Sequence, residues 1–341
     1  MKKKAICVIF GGKSEEYEVS LKSAYNVLES LCKESYEIYK LGITKEGRWL
    51  LFEGENKEIL NDTWHKGRVK EITLDFNSSS LLILGNGKRI KIDKALIIMH
   101  GENGEDGHLQ ATLDLAGISY LGPDHLASSI CMNKYVTKLV ARAQGIRVAR
   151  DVFLTKGNYC LEEIYKNVEK IGYPVFVKPN TSGSSVGVSR VENKNQLKDA
   201  IESAFLVSSA VIVEEEIKGT ETELALIEKN GKVQISTSGQ LSYKGAYYSY
   251  EEKYKSQDTQ YIIPSKVSEE TEKALRECCE KLFFALGLKG LSRIDFFVCG
   301  DEIVFNEVNT LPGMTDISMF LKLFEHDGIS RKKLINLLAS A

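Results

Sequence analysis

This 341-residue sequence predicts an open α/β unit followed by α+β segments. Three observations carry that fold class. Near the N-terminus a continuous apolar run at 5–10 ends at Gly11-Gly12 and gives way to a helical period over 18–31. In the middle, helical patterns at 161–171 and 194–205 flank a short strand at 175–178, the alternation of a small α+β domain. Toward the C-terminus, strand-like runs at 291–298 and 302–308 are joined by a turn at Gly300-Asp301.

Composition bounds the function before any motif does. With 43% hydrophobic and 27% charged residues, the chain is that of a globular protein of two or three domains. A formal net charge of −2 gives no field to attract nucleic acid or an anionic membrane. No apolar run approaches the roughly 18 residues of a membrane-spanning helix. The short run after Met1-Lys-Lys-Lys reads as a first core strand, not an export signal. Seven cysteines without a CxxC pair predict reduced thiols and a cytoplasmic location, and Cys278 and Cys279, within a helical pattern, read as packing.

In the first unit, residues 1–123, the helix at 18–31 sets Val19, Ala24, Val27, Leu28 and Leu31 on one face, and strands follow at 37–43 and 95–99. Ligands of such sheets bind at the carboxyl ends of the strands. Gly11-Gly12, Glu18 and the loop from His100 to Gly107 fall there. Taken alone, Glu18 is a helix-start carboxylate favoured by the dipole, and the glycine-rich loop is a flexible connection.

A turn cluster at Leu121-Gly-Pro-Asp marks a boundary, and the expected division is 1–123, 124–212 and 213–341. A helix at 133–144 follows with Lys134 at its start. The strand at 175–178 delivers Lys178 into Pro-Asn-Thr-Ser-Gly-Ser184-Ser185, small residues whose amides can approach phosphates closely. The lysine precedes the glycines, so this is not a Walker loop. A strand at 210–215 runs into Glu214-Glu-Glu216-Ile217 and then Glu221. Glu214 with the backbone of Glu216 and Ile217 can meet an adenine, and Glu221 a ribose hydroxyl, whereas the plain alternative is a solvated edge. Five tyrosines between 241 and 254 predict a loop, 241–258, that closes over a site and excludes water.

After a long helix at 265–286 comes the chemistry-bearing hairpin. Side-chain alternation puts Arg293 and Asp295 on one face of the first strand and Glu307 and Asn309 on one face of the second. Two carboxylates and an amide oxygen form a ligand set for Mg²⁺, and Arg293 beside them can stabilise developing negative charge. A glycine-bearing turn, Asn309-Thr-Leu-Pro-Gly313, follows directly.

The block Glu307-Val-Asn-Thr-Leu-Pro-Gly-Met-Thr315 with Arg293-Ile-Asp295 upstream resembles the D-alanine–D-alanine ligases of the ATP-grasp superfamily, and so do Glu18-Val-Ser20 and the His100 loop. The resemblance covers nearly the whole chain. It implies an ATP-grasp fold behind the N-terminal α/β domain and ATP-dependent joining of two D-alanines through D-alanyl phosphate, for peptidoglycan. It implies ATP and two Mg²⁺ ions, or Mn²⁺, as cofactors, with the metal on Asp295, Glu307 and Asn309. Glu18 would hold the first D-alanine's ammonium, with His100 near its carboxylate. Lys134, Lys178, Ser185 and Lys253 would contact nucleotide phosphates, while Ser184 and Tyr254 would join Glu18 in a triad. Arg293 and the Gly313 amide would form the oxyanion site, and Ser318 with Met319 would hold the second substrate. A homodimer is expected, and the alternative second substrate is D-serine. Asp316 stands where a small polar residue is usual and adds a charge near the carboxylate pocket.

Overall fold

The computed structural model describes residues 3–78, 80–83, 87–229, 231–242 and 260–341, arranged on three sheets. The expected tyrosine loop, with Lys253 and Tyr254, lies almost wholly outside the described residues. In the first sheet Lys4–Gly11 is parallel to Tyr36–Ile43 on one side and to Lys94–Ile98 on the other. From Ala5 onward it is buried on both faces, as a parallel strand covered by helices requires. The helix Tyr17–Ser30 makes the crossover and buries Leu21, Ala24, Val27 and Leu28. Gly11 turns the chain with φ +87°, and a Cβ there would strike the Ile43 carbonyl oxygen at 2.1 Å.

This sheet is wider than its apolar runs indicate. Antiparallel strands Trp49–Phe52, Val69–Asp75, Ser80–Ile83 and Arg89–Lys91 extend one edge. A sequence such as Val-Lys-Glu-Ile-Thr-Leu is half solvated and lacks the continuous signal of a buried strand. Trp64 anchors this region, meeting Phe10 edge-on at 5.0 Å and Phe52 at 6.3 Å. A Cβ on Gly42 would come within 2.3 Å of the indole. Gly42→Ala is therefore expected to destabilise the fold by about 1–3 kcal/mol through overpacking. The urea midpoint measures this, and a midpoint equal to wild type would show that the indole yields freely.

The second sheet runs in the order Ser189–Val191, Val175–Pro179, Ala210–Glu215, Asp151–Thr155, every pair antiparallel. Helices Leu161–Ile171 and Lys194–Val207 cover one face, burying Val168 and Ile201 against Val177 and Val213. On the other face Arg190, Phe176, Glu214 and Asp151 form one cross-strand row. The serine-rich loop thus has a strand on each side. Residue 212 lies inside Ala210–Glu215, which pairs within this sheet, so the break before the next sheet follows Glu215 rather than falling at 212.

The third sheet is antiparallel, in the order Gln260–Ile262, Gly239–Ser242, Thr220–Lys229, Leu291–Cys299, Glu302–Asn309, with Lys232–Ile235 paired to Thr220–Lys229. The helix Glu269–Ala285 packs Leu275, Cys279 and Leu282 on it. The last two helices, Met319–His326 and Arg331–Ser340, return to the first unit, where the Asn336 side chain donates to the Ser30 carbonyl at 2.8 Å and accepts from the Cys32 amide at 2.9 Å. All seven cysteines are free, and no described helix is long and apolar enough to cross a membrane.

Candidate active site

The hairpin pairs Arg293 with Asn309 and Asp295 with Glu307, with an irregularity in register just after Asp295. Arg293 grips Asp295 with two parallel bonds, Nε to Oδ1 and Nη2 to Oδ2, each 2.8 Å, and Asn309 Nδ2 donates to the same Oδ2 at 2.9 Å. The neighbouring strand sets Glu223 opposite Asp295, and Glu223 Oε2 lies 2.9 Å from Arg293 Nε. Glu221, Glu223 and Asp295 are all buried, with carboxylate oxygens within 4.8 Å of one another. So many buried carboxylates around one guanidinium suit a hard divalent cation. Sequence reasoning missed Glu223, although its strand spacing from Glu221 is the available signal.

Two cavities meet at this hairpin. The larger, about 780 Å³, lies between the second and third sheets and suits a nucleotide. It is lined by Lys134, Lys178, Ser185, Glu214, Glu216, Ile217 and Glu221. Ser184 and Ser185 both adopt left-handed backbone, φ +49° and +59°, a strained turn within the serine-rich loop. Lys134 donates to the Ser182 carbonyl at 2.5 Å and lies 4.0 Å from Glu307 Oε2. Glu214 is ion-paired to Lys178 at 2.6 Å; burial alone would raise its carboxyl, yet Lys138 and Lys178 hold it well below the usual carboxylate range. Glu216 is clamped by Arg190, Nε to Oε1 at 2.6 Å, and its amide donates to the Pro174 carbonyl at 3.3 Å.

The smaller cavity, about 130 Å³, is lined by Glu16, His100, Glu105, Arg293, Gly313, Ser318 and Met319, and it shares Lys134, Ser184 and Glu307 with the larger one. Here one expectation is corrected. Glu18 does not reach the cavity: its side chain is 57% exposed and paired with Lys45 at 2.6 Å. Glu16 takes the place, 8% exposed and accepting from Ser184 Oγ at 2.5 Å. Two residues along a helix turn a side chain by about 200°, so Glu16 at the helix start faces the sheet's carboxyl ends while Glu18 faces solvent.

His100 is buried with both ring nitrogens engaged. Nδ1 lies 3.0 Å from the Leu311 carbonyl, which can only accept, so Nδ1 carries the proton, and Nε2 lies 3.2 Å from Ser23 Oγ. Burial lowers its pKa, against Glu16, which raises it. Ser23 Oγ also accepts from the Met314 amide at 3.2 Å, tying the first helix to the turn that carries Gly313. Glu105 accepts from the Gly101 amide at 2.8 Å, and burial, then the charge of Glu16, push its carboxyl up to about 8. Neither Ser23 nor Glu105 carried a separate signal in the sequence.

A Cβ on Gly313 would approach Ser318 Oγ to 2.8 Å, so a larger residue there requires the Ser318 hydroxyl to shift. Ser318 Oγ in turn accepts from the Thr315 amide at 2.9 Å. Met319 is buried. Asp316, whose charge raised a question about the carboxylate pocket, points outward; its side chain is 75% exposed and paired with Arg331 at 2.5 Å.

A nucleotide-sized cleft between two antiparallel sheets, with a lysine from one and a carboxylate-bearing hairpin from the other, defines an ATP-grasp enzyme. The family described as D-ala D-ala ligase N-terminus matches residues 5–123, and that described as D-ala D-ala ligase C-terminus matches 140–340. Among relatives, D-alanine–D-alanine ligase B of Clostridium tetani is 37% identical over 340 residues, covering 98% of this chain and 92% of that protein. Among solved structures, the VanG D-Ala:D-Ser ligase of Enterococcus faecalis superposes with TM-score 0.91 at 35% identity, covering 99% of each chain. The D-alanine–D-alanine ligase of Bacillus anthracis complexed with ATP superposes with TM-score 0.74 at 27% identity, covering 99% of this chain and 96% of that one. The chain belongs to the D-alanine–D-alanine ligase family.

Proposed function

We propose that the protein joins two D-alanines to D-Ala-D-Ala at the expense of ATP, in the cytoplasm, as a step toward peptidoglycan. The observation that supports this reading is the junction of the two cavities at Lys134, Ser184 and Glu307, where a nucleotide's terminal phosphate would lie beside an amino-acid-sized space. The carboxylate of the first D-alanine attacks the γ-phosphorus, giving D-alanyl phosphate and ADP, with Lys134, Lys178 and Ser185 holding phosphate charge. The amine of the second D-alanine attacks the acyl carbon, the tetrahedral oxyanion rests on Arg293 and the Gly313 amide, and phosphate leaves. Glu16 receives the first substrate's ammonium, His100 lies toward its carboxylate, and Ser318 with Met319 borders the second substrate. Asp295, Glu307 and Asn309 would hold Mg²⁺, two ions or Mn²⁺ in its place, which would neutralise charge on the transferring phosphoryl group. A homodimer is part of the same proposal, read from family resemblance.

The deciding experiment measures ADP release with Mg-ATP and D-alanine, then with D-serine or D-lactate in competition, with products identified by mass spectrometry. D-Ala-D-Ala as the main product is expected; a dominant mixed dipeptide would overturn the substrate choice and leave the chemistry, and no turnover would overturn both. For the metal, Glu307→Gln is expected to raise the Mg²⁺ concentration for half-maximal activity by about tenfold or more. An unchanged Mg²⁺ titration would remove Glu307 from the ligand set.

A further inference from the structure

We propose that Lys138 is a positioning residue which keeps the charge of Lys178 available to the nucleotide's phosphates. Lys138 lies one helical turn beyond Lys134 in the helix Lys134–Ala143, and its side chain is only 2% exposed. Its Nζ is 2.6 Å from Glu214 Oε1 and 2.8 Å from Asp151 Oδ2. The other oxygen of Glu214 is 2.6 Å from Lys178 Nζ, and Asp151 Oδ2 also receives Arg142. Charges therefore alternate along one row, Arg142, Asp151, Lys138, Glu214, Lys178, buried at its three middle members and exposed at Arg142. Glu214 alone would cancel Lys178. With Lys138 present, the row keeps one net positive charge, and Lys138, Glu214 and Lys178 all line the nucleotide cavity. A lysine this buried persists only where it is paired, and both of its partners belong to this row. The inference rests on reading the cleft as an ATP site.

The test uses the full chain without D-alanine and reads dissociation constants for ATP and for adenosine, which has no phosphate. Lys138→Met is expected to weaken ATP binding by at least about tenfold and to leave adenosine within about twofold. Lys138→Met combined with Glu214→Gln restores the net charge of the row and is expected to bind ATP at least about threefold more tightly than Lys138→Met alone. A merely structural lysine predicts the reverse: ATP and adenosine weakened alike, and a double variant at least as poor as the single one. Either result, or Lys138→Met binding ATP like wild type, overturns the proposal. Should Lys138→Met fail to fold, Asp151→Asn decides. It removes a negative charge from the row, so ATP is expected to bind at least as tightly as to wild type, and weaker binding overturns the proposal. Wild-type protein that binds no ATP would overturn the reading of the cleft itself, whereas failure confined to the variants would overturn only the role of Lys138.

Discussion

Glu16→Gln is expected to lower kcat/KM for D-alanine by about two orders of magnitude, while Glu18→Gln stays within about twofold of wild type. The two glutamates are two residues apart and chemically identical, so the comparison isolates position. Glu16 is nearly buried against Ser184 at the rim of the amino-acid cavity, where a carboxylate facing an ammonium acts with little screening. Glu18 is exposed and shares its charge with Lys45, and a surface pair of that kind is worth at most about 1 kcal/mol. Glutamine keeps the size of the side chain and an acceptor for Ser184, so a loss in Glu16→Gln reports the missing charge. Steady-state kinetics at saturating ATP measure it. Equal effects at the two positions, or a larger one at Glu18, would return the ammonium site to Glu18.

Arg293→Lys is expected to reduce kcat by about two to three orders of magnitude and to change ATP affinity by less than about threefold. The guanidinium spans both oxygens of Asp295 and reaches Glu223 while bordering the amino-acid cavity; an ammonium cannot reproduce that fork. Lysine retains the positive charge among the buried carboxylates, so the protein should remain folded. Arg293→Ala, which strands Asp295 and Glu223, should in contrast lose about 3–5 kcal/mol of stability. ATP titration beside single-turnover kinetics separates the effects, and an unchanged kcat in Arg293→Lys would remove the residue from the oxyanion site.

The hairpin was legible in part: alternation puts Arg293 with Asp295 and Glu307 with Asn309, but regular pairing from the tight turn would set Glu307 opposite Ile294, and only the irregularity after Asp295 brings the two pairs onto one face. The buried parallel strands were legible for a similar reason, being continuous apolar runs. The strands between Trp49 and Lys91 were not, since none is longer than Val69–Asp75 and both that strand and Arg89–Lys91 place exposed charged residues beside buried ones. The run Glu214-Glu-Glu216 shows how far sequence reaches. Alternation separates Glu215 from its neighbours, but only the fold reveals that Glu214 meets Lys138 and Lys178, Glu215 meets Arg150, and Glu216 meets Arg190. Glu18 in place of Glu16 was a helix-start error of two residues, which for a side chain on a helix means the opposite side. The outward turn of Asp316 toward Arg331 depends on how the helix Arg331–Ser340 packs, which periodicity in the sequence does not orient.

The contact of Ser23 with the Met314 amide spans 291 positions of chain. During synthesis on a ribosome the first sheet can close early, since its strands end by Leu121. The pocket for the amino acid cannot close with it, because the turn bearing Gly313 emerges only after every strand of the second and third sheets. A nascent chain therefore passes through a long interval with its first sheet paired and its amino-acid pocket unmade.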